Sequence, residues 1–123
     1  MKKIFILLFS LLASFSSYGY WTETHLDNGD SVYVDFDYLK KKYDGTLSWR
    51  YLENKPNDKT MKSVVFFIEG DCKMGLTRIV STTLYRELMG QDKILSDNRG
   101  YSWEPPKPDS TSYQTLNIVC SFL

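Results

Sequence analysis

The chain has 123 residues, of which 42% are hydrophobic and 15% aromatic, and its 15 Lys and Arg are balanced by 15 Asp and Glu. This length suits one domain and is too short for two domains with separate cores, and the hydrophobic content excludes a disordered chain. Because there is no basic excess to neutralise phosphates, the charge argues against a nucleic-acid partner.

The first 19 residues have the three-part layout of a secretory signal peptide. Lys2 and Lys3 form a charged start, the stretch Ile4–Leu12 is almost wholly apolar, and small and polar residues follow up to Gly19. The apolar stretch is shorter than the roughly 20 residues that a membrane-spanning helix needs. We therefore predict a signal peptide that is cleaved after Gly19, with an uncleaved membrane anchor as the alternative.

Residues 20–123 are then expected to form the mature protein as a single domain. Loss of Lys2 and Lys3 leaves 13 basic against 15 acidic residues, a net charge of about −2. No cysteine lies near the predicted cleavage point, so we expect no lipid anchor there, and no second long apolar run follows. We predict a soluble exported protein without membrane insertion, either periplasmic or secreted.

Cys72 and Cys120 are the two cysteines of the chain, and both lie in the predicted exported part. An even number of cysteines in an oxidising compartment favours a disulfide. Metal ligation is disfavoured because thiolate sites usually recruit further Cys or His at short spacing, and two free buried thiols are the other alternative. We predict the bridge, which contributes about 4 kcal/mol in the chain-entropy model.

Alternating patterns predict strands in the first half of the chain. Asn28-Gly29 is a two-residue hairpin signal between the first two of them. Asp37–Lys42 resembles a short helical turn or an irregular edge. In the third strand, Leu47, Trp49 and Tyr51 face together because the side-chain period of a strand is two. The predicted strands are Tyr20–His25, Ser31–Phe36 and Thr46–Glu53.

The second half of the chain begins with a polar loop and a strand, Met61–Ile68, that is apolar on both faces and is therefore expected at the centre of the sheet. A bend carrying Cys72 follows. Leu76–Leu88 predicts a longer strand, since its threonines disfavour the alternative of an amphipathic helix. Gly90–Asp109 is predicted to be a loop because of its Gly and Pro content, with Trp103 fixing it to the core.

The last segment predicts a helix. Thr111 and Gln114 have the spacing of a capping box, and helical periodicity predicts one inward face. The residues of that face are Tyr113, Leu116, Cys120 and Leu123. The resulting fold class is α+β, an antiparallel sheet of about five strands with one C-terminal helix packed on it and one disulfide.

The sequence contains no constellation typical of an active site. His25 is the only histidine, and we interpret it as a surface residue beside the hairpin. The paired carboxylates Asp35/Asp37 and Glu69/Asp71 could divide acid and base roles, but at strand ends they are more typical of solvated turns. There is no phosphate-binding glycine motif and no serine elbow. We predict no catalytic residue, no cofactor and no metal site.

Two features indicate binding instead. Lys40-Lys41-Lys42 is the basic run of the chain, and it either contacts an acidic partner or is a solvated turn. Seven aromatic residues are too many to bury in so small a core, so some of them are expected to form a binding face or a homodimer contact. These are Tyr20, Trp21, Trp49, Tyr51, Tyr85, Tyr101 and Trp103.

The order and spacing of several segments resemble the surface-adhesin protein E family of exported bacterial domains. The matching segments span nearly all of the mature chain. They are Val32–Asp35 with the lysine run, Thr46–Trp49, Glu69–Cys72, Thr82–Gly90, Trp103–Pro106 and the helix ending at Val119-Cys120.

This resemblance implies a sheet-plus-helix fold, a disulfide between Cys72 and Cys120, and binding without catalysis. It also implies host extracellular-matrix or plasma proteins as partners, and homodimers. The adhesin for which the family is named is lipid-anchored, whereas no cysteine follows the predicted signal peptide here. A second hypothesis is therefore a periplasmic inhibitor or accessory protein that binds a bacterial or host enzyme.

Overall fold

The computed structural model of the chain describes residues 20–122, so the predicted signal peptide and Leu123 lie outside the described residues. The strands are β1 (Trp21–Asp27), β2 (Asp30–Asp35), β3 (Lys40–Lys41), β4 (Leu47–Asn54), β5 (Ser63–Asp71), β6 (Leu76–Glu87) and β7 (Gln91–Asp97). Two short 3₁₀ turns lie at Phe36–Tyr38 and Leu88–Gly90, and the helix α1 spans Thr111–Phe122. Within residues 20–122, no helix is both long enough and apolar enough to cross a membrane.

The strands form one antiparallel sheet in the order β1-β2-β4-β5-β6-β7, and β3 pairs with the start of β4. Asn28 and Gly29 close the β1–β2 hairpin, and both have positive φ, as a two-residue hairpin turn requires. The predicted α+β class, with one C-terminal helix on an antiparallel sheet, is confirmed. The sheet has seven strands in the described residues, however, instead of about five.

Two strands were not predicted from the sequence: the two-residue β3, in the segment Asp37–Lys42 predicted as a short helical turn or irregular edge, and β7, in the segment predicted to be a loop. β7 is the longer of the two. It pairs with the second half of β6, from Thr82 to Glu87. Six of its seven residues are exposed, so it has no buried face to give its sequence a period of two. Only the part of the segment after β7 is a loop, and it is tied to β6 by two hydrogen bonds between Thr77 and Glu104.

The core lies between one face of the sheet and α1. The predicted inward residues of β4, Leu47, Trp49 and Tyr51, are all buried in it. Burial raises the pKa of the Tyr51 hydroxyl well above its usual range, so the group stays neutral while it shares a hydrogen bond with Ser112 of α1. The other buried members of the core are Val32, Val34, Ile68, Leu116 and Val119.

The stripe that the helix presents to the sheet agrees with the prediction at Leu116 and Cys120 but not at Tyr113, and Leu123 lies outside the described residues. Thr111, Thr115, Leu116 and Val119 are buried, whereas Tyr113 is exposed. The helix is also capped differently, because the Ser110 hydroxyl accepts the N–H of Tyr113. The Thr111 hydroxyl instead donates to the buried Glu53 carboxylate at 2.7 Å. That bond holds Thr111 against β4. In this rotation of the helix about its axis, Tyr113 faces solvent.

The other end of α1 is held by the predicted disulfide. Cys72, in the turn after β5, is bonded to Cys120 in the last turn of the helix. The two residues are 48 positions apart, so the cross-link removes about 4 kcal/mol of unfolded-chain entropy in the loop-closure model. The alternatives of free thiols and of metal ligands are both excluded by the bond itself.

Close packing of α1 on the sheet depends on a glycine. A Cβ placed on Gly70 would lie 2.6 Å from Leu116 Cδ1 and 2.7 Å from Trp49 Cη2. Both neighbours are buried in the core, where close packing resists their displacement. The absence of a side chain on β5 therefore lets the helix and the tryptophan meet.

We expect Gly70→Ala to lower the free energy of unfolding by about 1–3 kcal/mol, because the added methyl overpacks the core. Gly100→Ala is the matched control, since no atom lies within 4 Å of its Cβ position and its φ is not positive. Urea unfolding of the two variants with the disulfide intact measures the difference. Equal stabilities would show that α1 can move away from the sheet without cost.

Candidate binding face

The face of the sheet opposite to α1, here called the helix-free face, carries its own set of side chains. Strand alternation sends Asp35, Arg50 and Phe67 to this face, next to one another on β2, β4 and β5. Their inward neighbours Val34, Trp49 and Ile68 belong to the core beneath α1. The helix-free face therefore combines a carboxylate, a guanidinium and an aromatic ring at its centre.

Asp35 is buried, with 1% of its surface exposed, and it has two separate roles. Its Oδ2 accepts a hydrogen bond from Arg50 Nε at 2.8 Å and lies 2.8 Å from Nη2. Its Oδ1 accepts the backbone N–H of Asp37 and caps the 3₁₀ turn that follows β2. The interpretation of Asp35 as a solvated turn residue was wrong, because strand pairing brings Arg50 beside it.

Three aromatic rings surround the guanidinium of Arg50. Its Cζ lies 4.9 Å from the ring centre of Tyr20, 4.8 Å from Trp21 and 4.6 Å from Tyr38. At these distances, the ring faces attract the cation. Tyr20 and Tyr38 keep 48% and 42% of their surfaces exposed. We call the set Tyr20, Trp21, Asp35, Tyr38 and Arg50 the arginine–aromatic cluster.

A second cation on the same face is built in the same way. Glu69 is 4% exposed and forms ion pairs with Arg78 and Lys42. The guanidinium of Arg78 lies 5.2 Å from the ring centre of Trp103. Glu69 was thus also wrongly interpreted as a solvated turn residue. Trp103 fixes its loop to this arginine and remains partly exposed, instead of entering the core.

The remaining residues singled out for chemistry are not brought together. His25 is half-buried, and its Nδ1 lies 2.9 Å from the Thr24 hydroxyl. Its Nε2 is buried and has no hydrogen-bond partner among the described residues, so the interpretation as a simple surface residue was incomplete. Asp71 accepts N–H groups within its own turn. Residues 20–122 contain no group of ligands suited to a metal ion.

The lysine run and the other aromatic residues divide between the core and the surface. Lys42 pairs with Glu69, and the Lys40 ammonium lies 5.8 Å from the ring centre of Tyr38. Trp49 and Tyr51 are buried and take no part in a surface, while Tyr101 is exposed.

Arg50 was not predicted to be a functional residue, although an arginine between two inward aromatic residues of a strand already indicates an outward cation.

A groove of about 480 Å³ lies between β6, the loop before α1 and the start of α1. Phe66, Ile79 and Pro105 contribute apolar surface to it, and Glu104 and Lys107 contribute opposite charges. Arg78 and the exposed Tyr101 also line it, but it contains neither Arg50 nor the three rings around that guanidinium. The helix-free face is the better candidate for binding.

The family of the chain follows from comparison with known proteins. The model of the family described as surface-adhesin protein E matches residues 21–121. The chain belongs to the surface-adhesin protein E family. The resemblance inferred from the sequence is thereby confirmed.

Solved structures of Haemophilus influenzae protein E share this fold. One has a TM-score of 0.62 at 19% sequence identity, covering 85% of this chain and 86% of that one. A second crystal form has a TM-score of 0.59 at 19% identity, covering 80% and 92% of the two chains. No curated protein sequence matches the chain significantly. At 19% identity, these comparisons show that the two proteins share a fold and nothing more specific.

We expect Arg50→Met to lower the free energy of unfolding by about 3–5 kcal/mol, because it leaves the Asp35 carboxylate buried without its partner. In the double variant Asp35→Asn/Arg50→Met no unpaired buried charge remains at this position, so part of the loss should be recovered. Arg99→Met is the control, since Arg99 pairs with Asp97 while 82% of its own side chain is exposed, and its loss should change stability little. Chemical unfolding at neutral pH measures all three variants. Equal effects at Arg50 and Arg99 would contradict the structural role given to Asp35.

Proposed function

We propose that the chain is an exported, non-catalytic binding protein that attaches to a partner protein through the helix-free face. The observation that carries this proposal is the arginine–aromatic cluster, in which exposed Tyr20 and Tyr38 stack on a guanidinium fixed by a buried carboxylate. Tyr, Trp and Arg dominate the energetically important positions of protein interfaces. Side chains that are already fixed lose little conformational freedom on binding.

Membership of an adhesin family supports host extracellular-matrix or plasma proteins as the partners. The composition of the helix-free face suits a protein partner, since aromatic rings and arginines occur together at the cores of interfaces. The chain carries no basic excess that would favour a nucleic acid. We therefore propose adhesion to a host protein as the function of the exposed rings.

Binding is tested with the protein purified after export, applied to surfaces coated with individual matrix and plasma proteins. We expect Tyr20→Ala/Tyr38→Ala to weaken the affinity by about tenfold or more, which corresponds to about 1.4 kcal/mol, because it removes both exposed anchors. Tyr43→Ala is the matched control, since Tyr43 is a fully exposed tyrosine outside the cluster. Near-ultraviolet circular dichroism confirms that each variant keeps its core.

Two outcomes of this assay would count against the proposal. Absence of binding to every host protein tested would remove the adhesin function. Equal weakening by Tyr43→Ala and by the double variant would show that binding does not involve the helix-free face.

Export is supported by the layout of residues 1–19 and by the Cys72–Cys120 disulfide, which persists in oxidising compartments. If the protein is an adhesin, treatment of intact cells with protease should degrade it, because the protease reaches proteins displayed on the outer surface. A periplasmic protein of known location serves as the internal control. Protection until the outer membrane is opened would contradict adhesion and favour a periplasmic target, as expected for an inhibitor or accessory protein.

A further inference from the structure

The helix-free face offers hydrogen-bond donors without matching acceptors. A guanidinium has five N–H donors and no acceptor. Asp35 occupies only the Nε and Nη2 side of Arg50, and Glu69 binds Arg78 through Nε. Among the described residues, neither guanidinium has another hydrogen-bond acceptor. Because both carboxylates are buried beneath their arginines, a ligand on this face meets cations and rings.

The exposed rings complete the two sites. Tyr20 and Tyr38 flank Arg50, and Trp103 covers Arg78 with 36% of its own surface exposed. Phe67 lies between the two arginines on β5 and contacts the ring of Tyr38 at a centroid distance of 5.2 Å in an edge-on arrangement. Each site is therefore a donor beside an apolar ring, and an aromatic side chain separates the two.

The distance between the sites follows from the strand register. Arg50 is level with Phe67, and Arg78 is level with Glu69, two residues further along β5. With strands about 4.8 Å apart and about 3.3 Å per residue along a strand, the two arginine Cα atoms are about 12 Å apart. A polyproline II helix, which rises about 3.1 Å per residue, covers this distance in about four residues.

A proline-rich segment complements this arrangement in both its backbone and its side chains. A polyproline II helix has no internal hydrogen bonds, so its carbonyl oxygens are free to accept from the arginines. Proline has no N–H that would be left without an acceptor, and its rings dock on aromatic-lined surfaces. We propose that the helix-free face binds a proline-rich, extended segment of the partner protein. This inference rests on the proposed function and names the chemistry of the partner.

Charge argues for this ligand over a sulfated polysaccharide, which also offers many acceptors. Residues 20–123 contain 13 basic against 15 acidic side chains, so the molecule as a whole does not attract a polyanion. The two carboxylates beneath the two arginines equal them in charge, and Lys40 and Lys42 are the further cations beside them. A neutral acceptor-rich segment matches the two balanced arginine sites, and heparin serves as the probe for the contribution of the lysines.

The test uses the exported, purified protein and fluorescein-labelled decaproline, with a Gly–Ser peptide of the same length as the ligand control. Fluorescence anisotropy should show saturable binding of decaproline only. Tyr38→Ala and Trp103→Ala should each weaken it by about fivefold or more, since each removes a ring from one site. Tyr43→Ala should leave it unchanged.

Decaproline binding no tighter than that of the Gly–Ser peptide would overturn the inference, and so would equal loss in Tyr43→Ala. Binding of heparin without binding of decaproline would assign the face to polyanions and would also overturn it. The proposed function fails separately. Binding to a host protein that needs Tyr38 while decaproline does not bind would leave adhesion standing, and decaproline binding without any host partner would leave only the peptide site.

Discussion

Attachment of α1 to one face of the sheet is the constraint on which the rest of the molecule depends. The helix is held at its last turn by the Cys72–Cys120 disulfide and at its first turn by the bond from Thr111 to the buried Glu53. Between these ends, Leu116 meets Trp49 over the bare backbone of Gly70. A helix of twelve residues is marginal on its own. Its two attachments therefore hold it on one face of the sheet, which becomes the core, and leave the opposite face uncovered by the helix.

On the helix-free face, the buried carboxylates of Asp35 and Glu69 are compensated by ion pairs with arginines. Burying a carboxylate carries a large desolvation cost unless a partner and further hydrogen bonds compensate it. Asp35 has both, since it pairs with Arg50 and also caps the following turn. The rings of Tyr20, Trp21 and Tyr38 lie around the guanidinium at 4.6–4.9 Å from its Cζ. The same contacts that make the ion pair tolerable also fix the rings in place.

Features carried by local periodicity could be predicted from the sequence. The inward residues of β4 and the Asn28-Gly29 hairpin follow from a period of two and from turn chemistry, both of which act within a few residues. The cysteines were paired correctly because there are only two of them. The strand β7 escaped prediction because its side chains are exposed, and an exposed edge strand is determined by the backbone of its neighbour more than by its own side chains.

The arginine–aromatic cluster could not be predicted for a different reason. Asp35 and Arg50 are 15 residues apart and meet only because β2 pairs with β4 in one register. A shift of one residue would send Arg50 to the core face and Trp49 to solvent. The partner of each carboxylate is thus a consequence of the whole sheet, whereas the exposed aromatic residues were already evident as an excess over what a small core can bury.

Sharing a fold with protein E at 19% identity leaves the chemistry of each surface to the individual chain. Core positions need only suitable volume and hydrophobicity to keep the sheet and helix together, so they can diverge without loss of the fold. The outer rings are under a different constraint, because Tyr20 and Tyr38 add little to the core and remain open to solvent. Their contacts with Arg50 help to hold the buried ion pair, but they do not require that so much of each ring stay exposed. In the proposed binding function, these exposed rings contact the partner, while Asp35 and Arg50 hold them in place as part of the fold.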